Sequence, residues 1–371
     1  MAETDTIHLL AFATDFEMER FASAEMQLFT SWQLVPVDRI KRIEGIVRRP
    51  WLPFAIAARW QESYLARLKR AIVELKIDAV IFDHTAIVQY RRWVPSRVVT
   101  VASLHDVLTQ SWDRRCQSRS GLAKPAFYLE SARIRRWESR ALAHVDFATT
   151  LSSKDQKLLE DITKDRLEVM TIQPWVDSSV LQRVEERNAI LPDSLLYWGA
   201  MDRAENVDAV LWAVAEIMPR IWKERPTARF YIAGSKSESL KNRLPEDNRI
   251  VVMGFIDDVH AMMSSMQIAL LPLRLGAGIK IKTLECMAAA LPVVTTNVGI
   301  EGIEAEPEVE FLQGETADRL AEQVLLLLNK PARANTIGRA GRSFLLRWYD
   351  FNGRVRTMRS RLYELVSQRA V

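Results

Sequence analysis

The residues best suited to phosphate chemistry lie in the segment LRLGAGIKIKTLE (273–285), between a strand pattern and a helical pattern. In a parallel sheet, the end of a strand and the start of the next helix lie at the edge where ligands bind. The free N–H groups and the positive end of that helix favour a diphosphate. Gly276 and Gly278 let the backbone approach the ligand closely, and Lys280 and Lys282 add positive charge. The segment therefore predicts a diphosphate site.

The same segment offers contacts to the rest of a nucleotide. The helix is expected to start near Ile279 or Lys280, which places Glu285 about one and a half turns along it. A carboxylate there can accept hydrogen bonds from both ribose hydroxyls. Arg274 precedes the glycines and adds a further cation. Taken alone, these residues also fit an ordinary helix with solvated lysines and a glycine-containing turn at its start.

Short apolar runs alternate with longer helical patterns along the whole chain, which predicts an α/β fold with two doubly wound parallel sheets. Strands are expected at 7–12, 79–83, 98–104, 194–199, 228–234, 249–254, 268–273 and 292–296, and helices at 59–76, 127–144, 207–224 and 281–290. Pro174 and a polar run interrupt the pattern at 173–180. We therefore predict an N-terminal domain over 1–175, a C-terminal domain over 176–345 and a terminal helix over 346–371 that can pack back across the joint.

Composition narrows the class of protein. Of the 371 residues, 48% are hydrophobic and 26% are charged, a balance typical of globular proteins long enough for two domains. Cys116 and Cys286 are far apart and in no metal-type spacing, which argues against a disulfide framework and a zinc site. The chain shows no signal-peptide pattern and no long apolar run. These features predict a cytoplasmic protein without a metal.

Positive charge is concentrated in the first half, where residues 39–140 contain 21 Lys and Arg against 9 Asp and Glu. The segment RIKRIEGIVRRPWLPFAIAARW (39–60) interleaves these cations with Trp51, Phe54 and Trp60. That combination suits peripheral docking on the anionic inner face of the cell membrane. A packed helix pair with its arginines outward is the alternative. Nucleic acid is not an expected partner, because no recognised binding module accompanies the charge.

Residues 194–303 resemble the sugar-nucleotide-binding domain of retaining GT-B glycosyltransferases of the group 1 type (glycosyltransferase family 4-like). The resemblance is carried by YWGAMDRAENVDAVLWAV (197–214), PTARFYIAGS (226–235) and VVMGFIDDVHAMMSSMQIALLPLRLGAGIKIKTLECMAAALPVVTT (251–296). It implies two Rossmann-like domains with a cleft between them and a donor nucleotide held by the C-terminal domain. It also implies retention of anomeric configuration, no required metal and no cofactor besides the nucleotide-sugar donor.

Carried over position by position, the resemblance implies a donor-binding set in the C-terminal half. The set is Arg203, Gly254, Gly276, Ala277, Gly278, Ile279, Lys280, Lys282 and Glu285. Three positions depart from the family pattern, with Ala277 in place of a Glu, and Ala200 and Glu205 in place of an Arg and a Lys. Lys280 and Lys282 lie about 200° apart around a helix, so they cannot both face one phosphate. We expect Lys280 to dominate and to act in catalysis, with Arg203 as a further cation.

The N-terminal half resembles the family more loosely, through DAVIFDHT (78–85), LHDVLTQSWDRR (104–115) and RRWESRALAHVDFATTLSSKDQKLLE (135–160). His105 ends a strand, where family members often place a histidine that bonds a hydroxyl of the donor sugar. The resemblance therefore implies a catalytic role for His105. From the residues alone, it is equally an ordinary polar residue at the end of a strand.

The expected activity is transfer of a hexose from a UDP-type nucleotide sugar to a glycan or lipid-linked acceptor, in cell-surface polysaccharide synthesis. No acidic pair suggests a nucleophile and an acid/base, which fits the same-face mechanism proposed for the family. A non-catalytic partner of another transferase is the alternative that Ala277, Ala200 and Glu205 favour. A sugar-nucleotide epimerase shares the architecture, but it would need acid/base carboxylates.

Overall fold

A computed structural model describes residues 5–15, 18, 28–117, 124–174, 176, 190–349 and 351–369. The chain forms two compact units, which we call unit 1 (Met1–Ile172 with Asn352–Val371) and unit 2 (Gln173–Phe351). The division at Gln173 falls in the segment 173–180. Of that segment, residues 175 and 177–180 lie outside the described residues.

Within the described residues, unit 1 has two parallel sheets whose strands carry mostly apolar side chains. A two-stranded sheet pairs β1 (His8–Ala13) with β2 (Ser31–Pro36). A four-stranded sheet has the order β3-β4-β5-β6, with bounds Ala79–Asp83, Val99–Leu104, Phe147–Thr150 and Val169–Thr171. Helices are α1 (Arg39–Arg48), α2 (Phe54–Ala57), α3 (Glu62–Glu74), a 3₁₀ helix (Thr85–Trp93), α4 (Leu108–Gln117), α5 (Lys124–Leu142) and α6 (Ser153–Thr163).

The apolar cluster around α3 holds that helix against the sheets of unit 1. Helix α3 buries Tyr64, Leu68 and Ile72 at helical spacing, and these side chains pack with Phe82 of β3 and Leu104 of β4. Removing apolar surface from water in this way is the main stabilising contribution to such a layer. This cluster fixes where β3 and β4 end, and therefore where His105 lies.

Unit 2 is built on one parallel sheet of six strands in the order β12-β11-β10-β7-β8-β9. The bounds are β7 Ser194–Trp198, β8 Arg229–Ala233, β9 Ile250–Gly254, β10 Ile268–Leu271, β11 Val293–Thr295 and β12 Leu312–Gln313. Chain order reverses between β7 and β10. In open α/β sheets, ligands bind beyond the carboxyl ends of the strands at such a switch point.

The helices of unit 2 differ from the expected ones in two places. They are α7 (Ala204–Trp212), α8 (Met218–Glu224), a 3₁₀ helix (Ser237–Arg243), α9 (Val259–Ser265), α10 (Ile281–Ala288), α11 (Ala317–Asn329) and α12 (Pro331–Trp348), followed by α13 (Phe351–Arg369). A π-helical turn over Ala213–Ile217 separates α7 from α8. Tyr349 ends α12 in an extended conformation, so the terminal stretch is two helices. Nearly all of α13 belongs to unit 1, where Met358 packs on Val101 and Phe147.

Glycines end three neighbouring strands of unit 2. Gly199 follows β7, Gly234 follows β8 and Gly254 ends β9. A Cβ atom on Gly234 would overlap the carbonyl oxygen of Gly199, and φ at Gly234 is +131°. A Cβ atom on Gly199 would lie 2.6 Å from Nζ of Lys282. The absence of side chains therefore lets backbone and a lysine meet closely at the switch point.

Candidate functional site

The turn between β10 and α10 has the backbone that its glycines suggested. Gly276 and Gly278 have φ of +99° and +69°, in the left-handed region that favours glycine. Helix α10 begins at Ile281, and Lys280 is its N-cap residue, with no side-chain cap bond. The helix thus starts where the helical pattern 281–290 placed it, one or two residues after the start near Ile279 or Lys280. Its first N–H groups face the edge of the sheet where a diphosphate is expected.

Lys280 has a carboxylate partner inside the protein. Its Nζ lies 3.7 Å from Oε2 of Glu301, and the two side chains are only 10% and 6% exposed. Nζ also donates to the carbonyl oxygen of Gly278. The charge of Lys280 is therefore largely matched by Glu301 within the protein.

Lys282 has neutral partners instead. Its Nζ donates to the hydroxyl of Tyr197 at 3.2 Å and to Oδ1 of Asn206, and it lies 4.9 Å from the centre of the Tyr197 ring. Burial lowers the pKa of Lys282 to about 7, although the charge of Glu205 acts in the opposite direction. A buried ammonium held by neutral groups can gain a counter-charge from an anionic ligand.

Glu285 of α10 is held in place by a hydrogen bond from the last residue of β7. The indole Nε1 of Trp198, the last residue of β7, donates to Oε2 of Glu285 at 2.9 Å. The indole uses one carboxylate oxygen, so lone pairs remain for ribose hydroxyls. The role of Glu285 in ribose binding stays a prediction.

The remaining predicted donor residues lie at the same edge with different exposures. Arg203 is exposed and precedes α7 as its N-cap residue. Ala277 is half-buried, Ile279 is buried, and Gly254 is buried with its N–H donated to Oγ of Ser237 at 3.0 Å. Their contacts with a donor stay predictions.

Arg274 and Glu205 are two further charged residues near this turn, and the sequence did not indicate their contacts. Arg274 forms a two-point ion pair with Asp208, at 2.8 and 3.1 Å, and stacks 4.6 Å from the Trp212 ring centre. Arg274 is therefore already paired. The side chain of Glu205 lies beside Gly276, where a Cβ atom would be 3.8 Å from its Cγ. This places a negative charge beside the turn.

Unit 1 presents a separate group of polar side chains at the carboxyl ends of β3 and β4. Nε2 of His105 lies 2.8 Å from Oδ1 of Asp83, and Oγ of Ser103 donates to the same oxygen at 2.9 Å. The side chains of His105 and Asp83 are 54% and 68% exposed. Loss of hydration alone would raise the pKa of Asp83. Hydrogen bonds from His105 and Ser103 outweigh that effect and hold the pKa below its ordinary value.

The segment after His105 is fixed by a buried carboxylate. Glu138 of α5 accepts from the backbone N–H groups of Leu108 and Thr109, both at 3.0 Å, and from the Thr109 hydroxyl at 2.6 Å. Burial raises the pKa of Glu138 to about 7 despite these bonds. The start of α4 is therefore occupied by the protein's own acid, which positions the chain that leads from His105.

Sequence patterns gave no sign of Asp83, Trp198, Asn206 or Glu301 as partners, because these contacts join residues far apart in the chain. Among the described residues, no group of three or more His, Cys, Asp or Glu side chains has an arrangement that could hold a metal ion. Metal independence stays a prediction. None of the described helices is both long and apolar enough to cross a bilayer.

The family model described as glycosyl transferases group 1 matches residues 192–330, which form most of unit 2. A curated relative, an uncharacterized 44.6 kDa protein in the cps region of Klebsiella pneumoniae, is 28% identical over 117 residues. Those residues are 29% of this chain, and the match spans 30% of that relative's length. Unit 2 therefore contains a group 1 glycosyltransferase domain, as predicted.

Solved structures resemble the whole chain. Sucrose-phosphate synthase from Thermosynechococcus elongatus has a TM-score of 0.66 at 13% identity, covering 98% of this chain and 100% of that one. HepE of Anabaena in complex with UDP-glucose has a TM-score of 0.63 at 11% identity, covering 98% and 100%. Likeness at these identities shows the fold alone. That fold is GT-B, and the predicted fold class is confirmed.

Proposed function

We propose that this protein is a glycosyltransferase that binds a nucleotide diphosphate sugar in unit 2 and transfers the sugar to an acceptor. The observation that carries the proposal is the group of Gly276, Gly278, Lys282 and Glu285 at the switch point of a group 1 glycosyltransferase domain. The positive helix end, flexible backbone and lysine suit a diphosphate, and the carboxylate suits a ribose.

The two lysines differ in what they can offer the diphosphate. The helix register led us to expect Lys280 to dominate, but its charge is matched by Glu301 at 3.7 Å. Among the residues that the structure describes, the hydrogen-bond partners of Lys282 are the neutral Tyr197 and Asn206. We therefore propose Lys282 as the main phosphate cation, whereas Lys280 orders the turn through Gly278 and Glu301.

The proposed donor is a UDP-hexose, and the proposed acceptor is a glycan or lipid-linked saccharide of a surface polysaccharide. Support for the donor comes from HepE, which is known in complex with UDP-glucose and shares the fold. Support for the acceptor comes from the relative in the Klebsiella cps region. Identity with both proteins is low or local, so each assignment needs its own test.

The proposed reaction retains the anomeric configuration without a metal. The bond from the anomeric carbon to the diphosphate oxygen breaks, and the acceptor oxygen bonds that carbon on the same face. The acceptor proton passes to the departing phosphate, whose charge Lys282 and the start of α10 stabilise. His105 bonds a hydroxyl of the transferred sugar. Proton NMR of the first-formed product tests retention, and an inverted anomeric signal would contradict it.

We propose that the reaction takes place at the cytoplasmic face of the membrane. Cys116 and Cys286 are buried and are not joined in a disulfide, which fits a reducing compartment. The basic segment at 39–60 supports a peripheral position. Fractionation of cells into soluble, membrane and periplasmic material tests the location.

A thermal-shift screen of nucleotide sugars, followed by product analysis with the best ligand, tests the activity. A ligand that binds only the folded state raises the melting temperature. Donor hydrolysis or transfer supports the proposal. Glu205 beside the turn favours one competing function, a non-catalytic partner, and binding without hydrolysis or transfer would indicate it. A changed sugar that is still attached to its nucleotide would indicate an epimerase.

A further inference from the structure

Unit 1 contains a cavity of about 720 Å³ with a distinctive lining. This volume is within the range of sites that bind small molecules. Four tryptophans line it, Trp51, Trp60, Trp93 and Trp137. Six arginines also line it: Arg49, Arg91, Arg92, Arg133, Arg136 and Arg140. No aspartate or glutamate among the described residues belongs to the lining.

The cavity extends toward the edge of the sheet opposite His105. His105 follows the carboxyl end of β4, whereas the 3₁₀ helix ends at Trp93, before the amino end of β4. Helix α5 likewise ends before the amino end of β5. Nε of Arg91 donates to the carbonyl oxygen of His144 at 2.9 Å, which joins the end of the 3₁₀ helix to the segment that follows α5. The cavity is therefore separate from the polar group around His105.

The arginines of the cavity suit a phosphate group. The guanidinium of Arg49 lies 3.9 Å from the Trp60 ring centre, and that of Arg92 lies 3.9 Å from the Trp93 ring centre. Arg136 and Arg140 are exposed and lie one turn apart on α5. Like charges at that spacing weaken a helix. Guanidinium groups bind phosphate oxygens in pairs, and a bound phosphate would relieve this repulsion.

An apolar surface adjoins the cavity. Helix α1 leads directly into its wall and exposes Ile40, Ile43 and Val47 to 76%, 57% and 71%. These residues recur at helical spacing and form one stripe. Trp51, which lines the cavity, is itself 64% exposed. Gly45 is on the opposite side of α1, packed so closely that a Cβ atom would overlap the carbonyl oxygen of Ala57.

We propose that the cavity binds the phosphate head group of an anionic lipid, while the stripe of Ile40, Ile43 and Val47 enters the apolar part of the same membrane. A basic cavity beside an apolar helix face matches both parts of such a lipid. The inference rests on the membrane location proposed above, and it does not depend on the transfer reaction.

Co-sedimentation of the full chain with vesicles tests the proposal, without any nucleotide sugar present. The wild type should bind phosphatidylglycerol vesicles and fail to bind phosphatidylcholine vesicles. Arg136→Gln with Arg140→Gln should weaken that binding by roughly thirtyfold, since each arginine near an anionic leaflet contributes about fivefold. Ile40→Gln with Ile43→Gln should remove the part of the binding that survives high salt.

A matched control removes two charges elsewhere in unit 1. Lys157→Gln with Arg166→Gln, on α6 and the turn after it, should leave vesicle binding nearly unchanged. Equal loss in the control and cavity variants would overturn the proposal, because binding would then follow net charge alone. Melting temperatures show whether each variant is folded.

Inorganic pyrophosphate separates a lipid from a soluble phosphate compound. Pyrophosphate could stabilise the wild type but not the Arg136 and Arg140 variant, while both proteins bind vesicles equally. In that case the ligand of the cavity is a soluble phosphate compound, and the proposal fails. Because these assays need no sugar transfer, an inactive enzyme that binds vesicles would contradict the proposed function and leave this inference intact.

Discussion

The four-stranded sheet of unit 1 and the six-stranded sheet of unit 2 hold charged groups at their carboxyl edges in different ways. In unit 2, Lys280 and Glu301 form a pair in which neither side chain is more than 10% exposed. In unit 1, the side chains of His105 and Asp83 form a pair that is 54% and 68% exposed. Enclosed groups in fixed hydrogen bonds are pre-organised, so they lose little entropy when a ligand binds.

We expect this difference to give the two edges distinct tasks. The enclosed edge of unit 2 is suited to binding the nucleotide tightly. The exposed pair of unit 1 is suited to a contact that forms only with the reacting sugar, and such a contact changes turnover more than ground-state binding. Substitutions at the two edges should therefore affect different measurements.

The largest effect is expected for His105→Ala. We expect kcat to fall by roughly a hundredfold, because hydrogen bonds to a sugar that strengthen in the transition state are lost. The affinity for free UDP should be unchanged, as measured by calorimetry. His8→Ala in β1 is the matched control. A loss of UDP affinity in His105→Ala would break the proposed division of tasks.

Glu285→Ala should act on binding. Loss of a charged acceptor for the ribose hydroxyls should weaken nucleotide binding by roughly 1.5–3 kcal/mol. Titration calorimetry with UDP measures the change, and Glu246→Ala at an exposed position is the control. Unchanged affinity in a folded Glu285→Ala protein would rule out the ribose contact.

Lys282→Ala should weaken nucleotide-sugar binding more than Lys280→Ala, with free nucleoside binding nearly intact in both. The reason is that Glu301 already matches the charge of Lys280. The reverse order would restore the original expectation from the helix register. If neither variant differs from the wild type, Arg203 and Arg274 are the next cations to test.

The pH dependence of nucleotide-sugar binding is a second test of the role proposed for Lys282. Lys282 has a pKa of about 7 in the free protein, and a bound diphosphate would raise it. Binding then takes up a proton above that pKa. Affinity should be full below it and fall by about tenfold per pH unit above it, up to the pKa of the bound state. Calorimetry in buffers of different ionisation enthalpy measures this uptake, which Lys282→Ala should abolish.

The smallest effect is expected for Glu205→Gln. At a pH well below 7, where Lys282 keeps its proton without the help of Glu205, removing a negative charge beside Gly276 should tighten nucleotide-sugar binding by about 0.5–1 kcal/mol, the size of a partly exposed charge interaction. Glu246→Gln, at an exposed position outside the turn, is the comparison. Weaker binding in Glu205→Gln would indicate that this carboxylate contacts the donor directly.

Much of the fold could be predicted from local patterns. The run AVIFD gave β3 at 79–83 without error, and the five strands predicted in unit 2 differ from expectation by one or two residues at their ends, whereas β12 was not predicted. Strands β5 and β6, with four and three residues, are too short for a periodic signal. The π turn at 213–217 lies inside one continuous helical pattern, so the pattern could not reveal it.

The candidate site was predictable where it depends on local geometry. Gly276 and Gly278 suggested a turn before the helix in which the backbone can approach a ligand, and both have positive φ. The environments of the lysines depend on contacts made across the sheet, such as Lys282 with Tyr197, which is 85 positions away. Sequence spacing carries no information on such contacts, so it could rank the lysines only by helix position.

The close packing of Gly199 and Gly234 bears on any attempt to change donor choice by directed evolution. A side chain at 234 would overlap the carbonyl oxygen of Gly199, so selected libraries should return glycine there almost without exception. Arg203, Glu205 and Ala277 are at least partly exposed at the same edge. Saturating these three codons while fixing the two glycines would concentrate diversity where the backbone tolerates it.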